Sequence, residues 1–141
     1  MQAGSTPTST DSALLAELAL SRGDLVQEWG YDDDVDFEFR EELEDGLGSE
    51  VLTEDDQDVV DGVILWWRSG DGDLVDALVD ALTSLGAGGV VWLLTPKSGR
   101  PGYVPPADVQ EAAPTAGLHS TSSAGVSREW SATRLVSRRK Q

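Results

Sequence analysis

Apolar residues follow two different spacings along this chain, and between Asp58 and Lys97 the two alternate within one complete unit. The stretch from Asp58 to Trp67 is a run of Val, Ile, Leu and Trp bounded by acidic residues, which predicts a buried strand. Leu74, Val75, Leu78, Val79, Leu82 and Leu85 then recur at helical spacing, with Asp73, Asp76 and Asp80 on the wet side. Gly88-Gly89 breaks that pattern, and Val90 to Thr95 is a second apolar run that stops at Pro96. A helix of about 13 residues is roughly 20 Å long, the length of a strand of about six residues at roughly 3.3 Å each. A helix that just spans the strands it joins is what a parallel, right-handed crossover requires. The unit predicts an α/β protein.

The flanking segments extend the pattern. Ser12 or Asp11 can cap a helix over Ala13 to Leu20, ended by Arg22-Gly23, and Asp24 to Gly30 is a candidate strand. Val35, Phe39, Leu43 and Leu47 lie four apart on one helical face, closed by Gly46 and Gly48. Glu50 to Thr53 is a short candidate strand, followed by an acidic connection. Lys97 to Pro106 is a loop rich in Gly and Pro, long enough to carry function. A helix is expected over Ala107 to Ala116, and two Ser/Thr/Val-rich runs, 117–127 and 129–137, fit a terminal antiparallel hairpin. The expected fold is a single three-layer Rossmann-like domain, a shortened form of the class I methyltransferase arrangement. Its sheet is expected to be mostly parallel and closed by that hairpin. In open α/β sheets ligands sit beyond the carboxyl ends of the strands, here 29–32, 66–69 and 95–100.

Composition sharpens this. Residues 1–11 hold nothing to bury and are expected to be a disordered tail, 12–137 the α/β domain and 138–141 a basic tail. Without cysteine there are no disulfides, thiolate nucleophiles or Cys-based metal sites. No apolar run approaches the roughly 20 residues that cross a bilayer, and the first residues lack a signal peptide's basic and apolar regions, so a cytoplasmic protein is expected. The net charge of −16 is unevenly spread: residues 1–85 hold 23 of the 26 acids and only Arg22, Arg40 and Arg68 as bases, whereas 86–141 hold three acids against seven bases. Such a field repels nucleic acid and anionic membranes and favours a partner protein with a basic surface.

Several segments in order, Val63 to Trp67, Gly72 to Leu85, Val91 to Gly102, Ala112 to Leu118 and Trp130 to Val136, resemble an actinobacterial family known as domain of unknown function 3052. The resemblance covers roughly Leu14 to Arg139. It implies a methyltransferase-like Rossmann core and a cytoplasmic origin, and no reaction. Set against methyltransferases, the cofactor cradle looks degenerate. Glycines are wanted after the first strand, and the chain offers Gly30 followed by Tyr31 and the carboxylates Asp32, Asp33 and Asp34. After Trp67 comes Arg68-Ser69, not the Asn/Asp-Pro-Pro element of amino-directed methyltransferases.

Other chemistry is sparse. Counting twelve residues from Asp71 ends on Leu82 rather than Glu, so a calcium loop fails, and carboxylates before Val35 and Leu74 read as helix N-terminal groups. His119 is the only histidine and reads as a surface strand residue. Trp29, Trp66, Trp92 and Trp130 read as core. Adjacent Trp66 and Trp67 face opposite sides of a strand, and Trp67, beside Arg68, is either core or ligand-facing. Lys97, Arg100 and Tyr103 lie beyond a buried strand, where the two cations either hold a carboxylate or phosphate or pair with the acidic half.

Two functions are therefore expected in competition. One is a non-catalytic binding or regulatory module, using an acidic face over 32–61 with Asp32, Asp33, Asp34 and Asp36, and without cofactor, metal or catalytic residues. The other is an enzyme or sensor for S-adenosylmethionine or another anionic or nucleoside ligand, with Trp67, Arg68, Lys97, Arg100 and Tyr103 at the strand ends. Acidic mimicry of nucleic acid is a smaller third.

Overall fold

A computed structural model describes residues 13–137. The tails expected over 1–11 and 138–141, and the cap at Asp11 or Ser12, lie outside the described residues.

The apolar runs form the strands of one five-stranded sheet: β1 (Val26–Trp29), β2 (Val60–Trp66), β3 (Leu85–Pro96), β4 (Leu118–Ala124) and β5 (Trp130–Ser137), in the order β1-β2-β3-β5-β4. A helical stretch over 13–18 (α1) precedes them, and α2 (Phe37–Leu47), α3 (Leu74–Leu82) and α4 (Pro106–Thr115) connect them. β1 and β3 both pair parallel with β2, so the unit around α3 is the expected crossover. β5 pairs antiparallel with both β3 and β4. The expectation of a mostly parallel sheet is thereby corrected to a mixed one. The closing hairpin is present, but it inserts its second strand next to β3, and that reversal makes half of the neighbouring pairs antiparallel.

Strand alternation divides the core into two. Ile64, Trp66, Trp92 and Leu94 pack with Leu14, Leu18, Phe39 and Leu43 of α1 and α2. Their neighbours Val63, Leu65, Val91 and Leu93 pack with Leu78 and Ala81 of α3 and Val109 and Ala113 of α4. The result is three layers, as period-two side chains on a doubly covered sheet require. Trp66 and Trp67 fall in opposite clusters, as adjacent strand residues must.

Helix ends follow local chemistry. Asp36 caps α2, accepting from the Phe39 N–H at 3.0 Å, and Asp73 caps α3, accepting from the Val75 N–H at 2.8 Å. α3 is shorter than the expected 13 residues, because Leu85 already pairs with Val60 and so belongs to β3. Gly88-Gly89 does not break the chain out of the sheet. It lies in a bulge: Val60 opposes Leu85 but Gly62 opposes Val90, so the glycine-rich loop of extra chain stays within β3. The short strand expected over 50–53 reduces to one parallel bridge between Gln27 and Leu52. There the buried Gln27 amide donates to the Thr53 and Asp56 carbonyls, pulling the chain into a turn against β1.

Candidate functional site

β1 ends at Trp29-Gly30, β2 at Trp66 and β3 at Pro96, while β5 begins at Trp130, so these residues meet along one edge of the sheet. Gly30 is required there. Its φ is +78°, and a Cβ would overlap the Trp66 carbonyl oxygen.

Arg68 lies beside this close approach. Its Nε and Nη2 grip both Asp34 oxygens at 3.0 and 2.6 Å, and its Nη1 donates to the Gly30 carbonyl at 2.8 Å and to Asp71 at 3.3 Å. The guanidinium also lies 5.2 Å from the centre of the Trp130 ring, and the Trp130 indole donates to the Asp34 carbonyl. Gly102 closes over the arginine stem, where a Cβ would meet the Arg68 Cβ at 2.9 Å. The Arg68 side chain is only 13% exposed, although Asp34 is 46% exposed. Hydrogen bonds from Arg68 hold the Asp34 carboxyl below its ordinary range, with burial opposing and the Arg68 and Arg100 charges assisting. Burial works against the Arg68 charge, but bonds to Asp34 and Asp71 outweigh it and raise the group.

A second bidentate pair lies behind the first. Glu28, 8% exposed on β1, accepts from Arg40 Nε and Nη2 at 2.7 and 2.9 Å and from the Trp66 indole at 2.9 Å. Arg40 in turn stacks 5.0 Å from the Tyr31 ring. Sequence reading passed over Glu28 and Arg40. The available signal was an acid flanked by Gln27 and Trp29 inside a four-residue strand, where burial demands a partner.

The residues singled out from the sequence are dispersed around this centre. Asp34 joins Arg68, whereas Asp36 caps α2 and also accepts from the Ser127 hydroxyl at 2.7 Å. Asp32 and Asp33 are exposed at the β1–α2 turn. Arg100 pairs with Glu129 at 3.6 Å, and the Lys97 ammonium makes no ion pair among the described residues. Tyr103 stands partly exposed at the end of the same loop. His119 is exposed on β4.

Trp67, 8% exposed, packs under α3 and α4 and forms a wall shared by two clefts. The first, of about 510 Å³, opens beside Trp29, Gly30 and Arg68. Its acidic lining is Asp32, Glu54, Asp71, Asp73, Asp76 and Asp80, and its only cation, Arg68, is already paired. The second, of about 600 Å³, lies between the α3 N-terminus and α4 and adds Asp108 and Glu111. Lys97, Arg100, Tyr103 and His119 line neither cleft. Such walls can accept hydrogen bonds from cationic groups and flank them with rings. No group of three or more Asp, Glu or His side chains among the described residues is placed to hold a metal ion. No helix among them is long and apolar enough to cross a membrane.

Comparison with known proteins gives a family and a fold. A model of the family described as "Protein of unknown function (DUF3052)" matches residues 15–139. Uncharacterized proteins of Mycobacterium tuberculosis and Mycobacterium bovis are each 50% identical over 137 residues, covering 96% of this chain and 86% of theirs. Among solved structures, the magnesium protoporphyrin IX methyltransferase of Synechocystis, crystallised with bound SAM, superposes with a TM-score of 0.57 at 11% identity over 92% of this chain and 78% of that one. A TehB-like SAM-dependent methyltransferase of Corynebacterium glutamicum gives 0.53 at 14% identity, over 92% and 88%. At such identities the likeness shows a shared fold.

Proposed function

The chain belongs to the DUF3052 family, and on that premise we propose that it is a non-catalytic binding module, with a methyltransferase fold whose strand-end clefts take a basic segment of a partner protein. The observation that carries this reading is Arg68. Bound to Asp34, Asp71 and the Gly30 carbonyl, it lines the space beyond β1 and β2 where open α/β sheets receive ligands, with its charge already paired and not free for an anionic ligand. What stays open is a cleft whose walls are carboxylates and aromatic rings, suited to Lys or Arg side chains and opposed to phosphate or nucleic acid.

Titration with a fluorescent arginine-rich peptide tests it. Reversing Asp32, Asp76 and Asp80 to Lys is expected to weaken binding at least about tenfold, roughly 1.4 kcal/mol. The same reversal at Glu38, Glu41 and Glu42, exposed on α2 outside the cleft, changes net charge equally and is expected to cost much less. Equal losses from both sets would leave only a diffuse field and refute a cleft site.

A second reading, a small-ligand enzyme or sensor at the same edge, draws support from cleft size, since about 510 Å³ lies within the usual range for ligand pockets. Thermal shift with S-adenosylmethionine, its demethylated product and common nucleotides separates the two, because saturation at 100 times Kd adds about 2.7 kcal/mol.

A further inference from the structure

At the far edge of the sheet, away from the acidic clefts, β4 presents Ser120, Thr121, Ser122 and Ser123 to solvent between buried Leu118 and half-buried Ala124. Ser120 opposes Leu135 and Ser122 opposes Arg134, so Thr121 is the extra residue of a bulge with no partner across the ladder. Beneath it lies Arg134 of β5, whose Nη1 donates to the Thr121 hydroxyl at 3.0 Å. That is the only hydrogen bond of the guanidinium among the described residues. Its Nε is buried without a partner, and no carboxylate among the described residues pairs with it. Glu17 of α1 accepts from the Gly125 N–H, just past the end of β4, at 3.3 Å.

In a chain of net charge −16, a half-buried arginine with no acid partner among the described residues is an unused anion receptor, and its one hydrogen bond among them goes to an exposed hydroxyl on an extended edge. We propose that Thr121 is a phosphorylation site whose phosphate is held by Arg134. A Ser/Thr protein kinase and a nucleoside triphosphate supply the group. The Thr121 oxygen forms a bond to the γ-phosphorus, the bond to the bridging oxygen breaks, the nucleoside diphosphate leaves, and the hydroxyl proton passes to the kinase. The new oxygens then lie within reach of the free Nη positions, where a planar guanidinium binds phosphate with two parallel hydrogen bonds.

The test uses the full chain made with phosphothreonine at 121 and, as a control, phosphoserine at exposed Ser123, followed by 31P resonance against pH. The Thr121 phosphate is expected to titrate at least about half a unit below the ordinary second pKa near 6, and the Ser123 phosphate at the ordinary value. Arg134→Gln is expected to abolish the depression and Arg134→Lys to keep part of it, with circular dichroism confirming that each variant folds. Peptide mapping of the protein from its own cells is expected to find phosphate on Thr121. A Thr121 phosphate that titrates like the control, a depression unchanged in Arg134→Gln, or native protein without modification at Thr121 would each overturn the assignment.

Discussion

Arg68 and Arg40 are two of only three bases in the first 85 residues, and each is committed to a bidentate carboxylate at the strand ends. Replacing Arg68 strands Asp34, Asp71 and the Gly30 and Trp66 carbonyls, to which its Nη1 donates at 2.8 and 3.3 Å. Arg68→Gln is expected to cost about 2 kcal/mol, discounted for the exposure of Asp34. In a chain of this size that lowers Tm by roughly 6–10 °C. The pH dependence follows from the depressed Asp34 group. Its stabilisation is complete above the unfolded carboxyl value near 3.9 and is lost as pH falls through the lower folded value. Urea denaturation of Asp34→Asn should therefore show a deficit at pH 7 that shrinks towards pH 3. An equal deficit at both would mean that the charge pair contributes nothing. Neither partnership was legible in the sequence, since 34 residues separate Arg68 from Asp34 and 12 separate Arg40 from Glu28. Only topology brings them together. Asp73 was legible, because a cap acts on N–H groups two or three residues away, whereas α2 begins after Val35 and takes Asp36 as its cap in place of the carboxylates before Val35.

Among the elements, the β2–α3–β3 crossover could be read directly, because hydrophobic spacing and matched lengths are local signals. The Gly86–Gly89 bulge could not. Glycines inside an apolar run mark either a break or a close approach, and the neighbouring strand decides which. At Gly89 a Cβ would meet the Leu85 Cδ1 at 2.5 Å and the Asp61 carbonyl at 2.9 Å, whereas at Gly88 it would meet open space at a φ of +80°. Gly89→Ala is expected to cost about 2 kcal/mol through overpacking, and Gly88→Ala about 1 kcal/mol through backbone conformation alone. Thermal melts giving the reverse order would show that the bulge is misplaced. The insertion of β5 beside β3 was likewise hidden, because a hairpin's own residues do not state which of its strands joins the sheet.

At the scale of the whole molecule, a methyltransferase-like fold coexists with a strand edge where Gly30 is followed by Tyr31 and three carboxylates, and where Arg68 is held by Asp34 and Asp71. Carboxylates line the clefts at that edge, and Lys97, Arg100, Arg128 and Arg134, the described bases of the second half, line neither. Fold and charge thus suggest different ligands: structures of this architecture carry SAM elsewhere, while the carboxylates of the clefts and the paired Arg68 are the basis of the proposed docking of a cationic protein segment. Isothermal titration of the wild-type chain with S-adenosylmethionine bears on this most directly. No heat beyond dilution is expected up to about 1 mM ligand, a binding energy weaker than roughly −4 kcal/mol. Stoichiometric binding in the micromolar range would mean that Arg68 yields its place to the cofactor, and would return the molecule to the enzymes whose fold it shares.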